Sequence, residues 1–220
     1  MSWAPFWLSL QIAVMATLIA GVVGVALATL LVSRRFPGRD LLGALVTAPM
    51  VVPPTVLGYY LLVALGTRSW IGRTWEAIFG SPIVFTRTGA VIAASVGALP
   101  LVVQGARAAL DAVDPTLMAT ARTLGATRTR AYFTVWLPLA RGGVAAALML
   151  GFARSLGDFG LTYMVAGDLP GETQTASIAI YNAVNADRYD DALGMVLVLT
   201  AIGLFALYGV AKLVRRERAT

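Results

Sequence analysis

Residues 119–138 read ATARTLGATRTRAYFTVWLP. Arg122, Arg128 and Arg130 stand here with no acid among them, between two long apolar runs. Just upstream, Asp114-Pro115 has the form of a helix N-cap followed by a helix-starting proline. The next nine residues, TLMATARTL, suit a helix of about two and a half turns. Leu117, Ala121 and Leu124 share one of its faces. Gly125 is placed to end that helix in a backbone conformation other residues avoid. Thr127 is placed to cap a second helix that presents Tyr132, Phe133, Val135 and Trp136, and Pro138 constrains the chain beyond it. Segment 112–141 is long for a simple turn and has the layout helix–glycine–helix. Two interpretations fit. It rests on lipid headgroups with its arginines on anionic lipid, or it is a knob that a cytoplasmic partner grips.

The rest of the chain sets the context. Of its 220 residues 58% are hydrophobic and 13% charged, with a mean hydropathy of +0.78. A soluble domain carries about a quarter charged residues, so the composition is that of a membrane protein. There is no cysteine and no histidine. Disulfides, thiolate chemistry and the commonest metal ligand are therefore excluded. No Gly-rich loop ends in Gly-Lys-Ser/Thr, and nothing suggests a hydrolytic triad or a metal site. The chain is expected to be non-enzymatic, without a cofactor of its own.

A membrane helix needs roughly 20 apolar residues. Five runs qualify: Leu8–Val32, Leu41–Leu65 with Pro49, Pro53 and Pro54 inside it, Thr88–Leu110, Gly143–Val165 and Ala192–Leu213. The first has no basic leader and ends in SRRF, so it is expected to be a retained span rather than a signal peptide. Residues 66–84 are broken by glycines and suit an interfacial loop or short amphipathic helix. The expectation is an all-α, five-span membrane protein with one domain over residues 1–220.

Basic residues orient it. Arg34, Arg35, Arg39, Arg107, Arg122, Arg128, Arg130, Arg141, Lys212, Arg215, Arg216 and Arg218 fall on one side of a five-span arrangement. Arg68, Arg73, Arg87 and Arg188 fall on the other, and Arg154 lies inside the fourth span. The positive-inside rule makes the first side cytoplasmic, with the N-terminus outside. The same distribution explains the pI of about 10.2 without nucleic acid.

With these residues in place, segment 119–138 resembles the cytoplasmic signature of ABC importer permeases: E-A-A, three residues, G, nine residues, I, one residue, L-P. Ala119, Thr120 and Ala121 stand at the E-A-A positions, Gly125 at the glycine, Val135 at the isoleucine, and Leu137-Pro138 at the end. The glutamate and the first alanine of the signature are replaced. The stretches APMVVPPTVLGYYLL (48–62), ARTLGA (121–126), FARSLGDFG (152–160) and PGETQT (170–175) resemble the molybdate branch of that family, whose tungstate and sulfate branches are close relatives. The resemblance implies a type I importer permease in a bacterial or archaeal cell membrane, working as a homodimer with the pore at its two-fold axis. It implies two ATP-binding cassette subunits that hold ATP and Mg, and an extracytoplasmic oxyanion-binding protein. It makes Ala119, Thr120, Ala121, Arg122, Thr123, Leu124, Gly125 and Ala126 the coupling element that docks on the ATPase.

For the pathway, polar groups within the spans are the candidates. These are Thr55, Gln104, Arg154, Ser155 and Asp158. Arg154 and Asp158 are four apart and can also pair as a neutral lock. Ala147, Gly151 and Ser155, and likewise Gly89, Ala93 and Gly97, form small-residue stripes suited to close helix contact. The segment 166–191 carries Asp168, Glu172, Asp187, Asp190 and Asp191 against Arg188 alone, a surface able to pair with a binding protein. The alternative from another class is an ATP-independent channel or secondary transporter. The lack of an inverted repeat argues against the latter.

Overall fold

The computed structural model describes residues 3–33 and 36–217, without the side chains of residues 210, 211 and 213–217. Arg34, Arg35 and Arg218, and the side chains of Arg215 and Arg216, which entered the orientation argument, lie outside the described residues. Among the described residues every regular element is helical. Four helical runs are long and apolar enough to cross a membrane: Ala4–Ser33, Arg87–Asp111, Arg128–Leu156 and Tyr189–Gly209. A fifth crossing is assembled from Arg39–Met50 and Pro54–Leu65, which meet at a bend of 111°.

The centre is α5 (Arg87–Asp111), flanked by α1 (Ala4–Ser33) and α8 (Leu137–Leu156). Leu8 and Ile12 of α1 cluster with Ala90 and Ala94, while Ala28 and Leu31 cluster with Ala106 and Leu110. The two helices are therefore parallel. α8 runs the opposite way, with Val144 beside Leu110 and the Ser155 hydroxyl donating to the Ala94 carbonyl at 3.4 Å. Small residues set this seam. A Cβ on Gly105 would stand 2.6 Å from Ala147 Cβ, one on Gly143 2.5 Å from Ala109 Cβ, and one on Gly151 2.6 Å from Val102 Cγ2. Without a hydrophobic drive between lipid-embedded helices, such close approach is what holds them.

The second crossing is broken where the prolines predict a disruption. α2 (Arg39–Thr47) places Val46 among Leu31 and Leu110, at the Asp111 end of α5. A single 3-10 turn, Ala48–Met50, follows, and the chain is extended at Pro53 before α3 (Pro54–Leu65). Leu65 then packs with Ile83 and Val84, at the Arg87 end of α5. The chain thus traverses the bundle, as two helices at an angle rather than the single Leu41–Leu65 helix expected. Pro53 and Pro54 lack the N–H groups that would continue the ladder. Residues 66–84 contain α4 (Trp70–Phe79), whose first turn is capped by Ser69 Oγ accepting from Gly72 N at 2.9 Å.

The fourth span also differs from its expected bounds, Gly143–Val165. α8 stops at Leu156, and Gly160–Ala166 forms a separate short helix, α9. The cause is Asp158. Its Oδ2 accepts from Thr162 N at 2.9 Å and Thr162 Oγ1 at 2.7 Å, starting a new helix instead of continuing the old one. α9 packs on α3 and α5. Beyond it, α10 (Ala176–Asn185) is tied to α1 by Ala176 N donating to Ser9 Oγ at 2.8 Å, and α11 (Tyr189–Glu217) packs on α8 and α10.

Candidate functional site: an exposed knob and a buried ion pair

Between α5 and α8 the chain builds a projection whose helix starts and stop are set by local hydrogen bonds. Asp114 Oδ1 accepts from Thr116 N at 2.8 Å and from Thr116 Oγ1 at 2.7 Å, opening α6 (Pro115–Thr123). The backbone N–H of Thr116, and then its hydroxyl, hold the Asp114 carboxyl below its ordinary pKa. At the other end Gly125 has φ +89, the left-handed conformation that favours glycine. Gly125 N donates to Arg122 O at 3.1 Å and Ala126 N to Ala121 O at 3.0 Å. That pair of bonds is a Schellman stop, which satisfies carbonyls the helix would leave bare. Thr127 Oγ1 then accepts from Arg130 N at 3.2 Å and starts α7 (Arg128–Ala131).

α7 leads through a π-turn, Tyr132–Trp136, straight into α8, so that Arg128–Leu156 is one continuous helical run. Pro138 was expected to restrict this junction. The structure absorbs it. Leu137 N donates to Tyr132 O, and this wider turn accommodates a proline that has no N–H and whose ring crowds the preceding turn. The base of the second limb is anchored at two points. Trp136 Nε1 donates to the Leu110 carbonyl at 2.9 Å, and the Tyr132 hydroxyl lies 3.0 Å from Thr29 Oγ1. The i, i+4 spacing of these two aromatics was visible in the sequence, but their partners on α1 and α5 were not.

α6 itself buries no residue. Leu124, at the turn, is 83% exposed, and Leu117 is exposed beside it, while Ala121 is half-buried. Ala119, Thr120, Arg122, Thr123 and Gly125 are exposed and Ala126 is half-buried. All eight predicted coupling residues therefore lie on one small projection, whose apolar tip is left uncovered by the described residues.

The polar residues of the spans are arranged differently. Arg154 Nη1 lies 2.9 Å from Asp158 Oδ1, an ion pair. Asp158 is 3% exposed and is fully engaged between Arg154 and Thr162, while Arg154 is half-buried. Ser155 is 5% exposed and sits in the α5–α8 seam. Gln104 is exposed, with Nε2 3.4 Å from Met50 Sδ, and Thr55 is exposed at the first turn of α3. The second small-residue stripe seats α9: Ala93 packs with Leu161 and Val165, and a Cβ on Gly97 would meet Leu161 at 3.1 Å. Phe159, Tyr163 and Tyr181 form a ring cluster beside the break, with centroids 5.0 to 6.3 Å apart. The first residue of α3 lies close by, since a Cβ on Gly160 would meet Pro54 Cβ at 2.9 Å. The breaks in the second and fourth crossings are therefore neighbours.

The described residues thus form a bundle of parallel and antiparallel membrane helices with two broken crossings and a capped knob on one loop. The profile of the family "Binding-protein-dependent transport system inner membrane component" matches residues 13–218, and the chain belongs to that family. It is similar to the Molybdenum transport system permease protein ModB of Escherichia coli K12, 40% identical over 99% of this chain and 96% of that protein. The Haemophilus influenzae protein of the same name is 37% identical over 96% and 93%. The sulfate transport system permease protein CysT of E. coli K12 is 31% identical over 98% of this chain and 82% of that protein. Among solved structures, the fold matches a chain of the MetNI methionine ABC transporter with a TM-score of 0.74 at 19% identity, covering 99% of both chains. A bacterial alginate ABC transporter matches with a TM-score of 0.74 at 17% identity, covering 97% of this chain and 78% of that one. The fold is that of ABC importer permeases, and the chain is a multi-pass membrane permease subunit rather than an enzyme.

Proposed function

We propose that the chain is the permease of an ATP-driven molybdate importer, working as a homodimer whose pathway lies at the two-fold axis. Its partners are two ATP-binding cassette subunits, which hold ATP and Mg, and an extracytoplasmic oxyanion-binding protein. The N-terminus faces out, and the knob and C-terminus face the cytoplasm of a bacterial or archaeal cell. The choice of molybdate is supported by the 40% identity with the molybdenum permease against 31% with the sulfate permease.

The observation that carries the mechanism is the continuity of Arg128–Leu156. The knob and the Arg154–Asp158 pair lie at opposite ends of this one 29-residue run, roughly 40 Å long at the helical rise. A partner that grips Leu124 and Ala119–Ala126 pulls on a rigid lever. At the far end the lever ends at Asp158, whose carboxylate holds α9, and α9 packs on α3. ATP-driven closure of the two ATPases draws the knobs together and swaps the opening of the pathway from one side to the other. Thr55, Gln104 and Arg154 offer side chains to the pathway, while Asp158 and Ser155 hold the helices that form it. The Arg154–Asp158 pair is a lock on this geometry, and Arg154, half-buried, is the basic group among the pathway candidates.

Uptake into proteoliposomes with the ATPase and binding protein tests the assignment. The expected result is ATP-dependent molybdate uptake, with tungstate competing and sulfate competing weakly. Preferred sulfate uptake makes the chain a sulfate permease, and uptake without the ATPase makes it a channel. Orientation has its own test, because the chain has no cysteine. Glu172→Cys, which is exposed, should react with an impermeant thiol reagent from outside, and Thr129→Cys should not. The neighbouring Thr173 is 0% exposed, with its hydroxyl accepting from Leu169 N, and is unsuitable as a probe.

A further inference from the structure

Beneath the knob lies an open-sided cavity of about 710 Å³, bounded by α6, the second limb and the ends of α1 and α5. This is the size of a small-molecule site. Val32, Leu110, Phe133 and Trp136 give it apolar walls. Arg122 from α6 and Arg128 from α7 also line it, contributed from either side of the Gly125 turn. Neither arginine forms an ion pair among the described residues. The acid among the lining residues, Asp111, is 3.7 Å from Arg107. Thr29 and Tyr132, also in the lining, already bond each other. What remains is an apolar hollow with two uncommitted guanidiniums, at the level where the long helices α1 and α5 end.

We infer that this cavity binds an anionic phospholipid, its phosphate between Arg122 and Arg128 and its upper acyl chain against Val32, Leu110, Phe133 and Trp136. Guanidinium forks match phosphate oxygens, and the apolar walls exclude a purely hydrophilic ion as the natural occupant. Helix ends bring the cavity to the depth of headgroups, where a cationic pair attracts anionic lipid. Occupancy has a mechanical consequence. α6 has no fully buried residue and rests on the second limb, so an occupant of the hollow adds a brace between the knob and the helix ends. The lipid acts as a wedge that fixes the knob's angle to the α1 and α5 ends.

The test uses the transporter purified in detergent with its ATPase and titrated with dioctanoylphosphatidylglycerol, with bound lipid counted by native mass spectrometry. The phosphatidylcholine analogue and inorganic phosphate are the two comparison arms. The wild type should bind the glycerol lipid roughly tenfold or more tightly than the choline lipid, from two basic contacts near the surface. Arg122→Gln with Arg128→Gln should abolish the preference. Val32→Trp, which fills the hollow and keeps both charges, should abolish binding. Equal binding of the two lipids, or preference retained in the double arginine variant, overturns the inference. Millimolar phosphate displacing the lipid assigns the site to a free oxyanion and likewise overturns it. Unchanged binding in Val32→Trp moves the lipid elsewhere. Arg122 also belongs to the proposed docking element, so Val32→Trp, which lies outside it, is the variant that separates the two readings: loss of lipid binding there leaves the importer assignment standing, and ATPase capture is recorded as its own readout.

Discussion

The α5–α8 seam and the knob belong to the same stretch of chain and are built on opposite principles. The seam is specified by what is missing. Gly105, Gly143 and Gly151 carry no Cβ because Ala147, Ala109 and Val102 already occupy that space. The knob is specified by what it bonds to itself: Asp114 at its start, the Gly125 stop, and the Thr127 cap. One depends on long-range sterics and the other on contacts within a few residues. Damage to the seam should therefore unfold or disassemble the permease, and damage to the knob should leave a folded permease that cannot use its partner.

The largest expected effect lies at the far end of α8. Arg154→Ala leaves the buried Asp158 carboxylate without its cation, which should destabilise the protein by about 3 kcal/mol. Thermal unfolding in detergent should show a marked loss, and Arg154→Lys should recover part of it. Gly105→Val comes next. Its Cβ would also meet the Ala147 backbone, 3.3 Å away at Cα, which cannot swing aside as a side chain does. Overpacking of this kind costs about 1–3 kcal/mol. A Gly105→Val protein as stable as wild type would mean that the seam is looser than the structure shows. Thr127→Ala removes a cap worth about 1 kcal/mol to the local helix. It should leave the unfolding temperature nearly unchanged and raise hydrogen exchange at Arg128–Ala131. The smallest effect is that of pH on the Asp114 cap. Because its folded pKa is lowered, the cap's contribution is fully present above the ordinary carboxylate range and fades only as pH falls through the lowered value. Hydrogen exchange in the first turn of α6, corrected for the intrinsic rate, should therefore be flat across neutral pH. A loss of protection near neutrality would contradict the cap.

The same contrast explains what the sequence revealed. The knob was legible almost residue by residue, because Asp-Pro, Gly125 and Thr127 act locally and their chemistry is written in adjacent positions. The number of crossings was legible from apolar length. The bend between α2 and α3 was not, since prolines announce a break but not its angle, which packing on α5 and α9 decides. The end of α8 at Leu156 was hidden inside a continuous apolar run. The Gly157-Asp158 pair, with Thr162 four residues on from Asp158, was the available signal. Pro100 and Pro138 teach the converse. α5 runs through the first and a π-turn absorbs the second, so neither ends a helix. The exposure of Thr55 and Gln104 and the burial of Ser155 depend on neighbours far away in the chain and could not be read from spacing.

The central claim is that an apolar tip held by the Gly125 stop couples this permease to an ATPase. Gly125→Val forces a branched residue into φ +89, a strain of roughly 1–3 kcal/mol confined to the turn, because nothing surrounds the added side chain. Leu124→Ala removes the exposed tooth without strain, and truncating a central interface residue costs about 1–4 kcal/mol of binding. The direct measurement is capture of the ATPase by detergent-solubilised permease carrying Gly125→Val, Leu124→Ala, or Arg128→Gln with Arg130→Gln, with unfolding temperature recorded for each. Coupling through the tip predicts a folded permease in every variant, with at most a small drop in unfolding temperature for Gly125→Val, and with ATPase capture lost in the first two variants and largely kept in the third. Normal capture in Gly125→Val and Leu124→Ala, with loss only in the arginine variant, would contradict it and return the loop to a role on lipid headgroups.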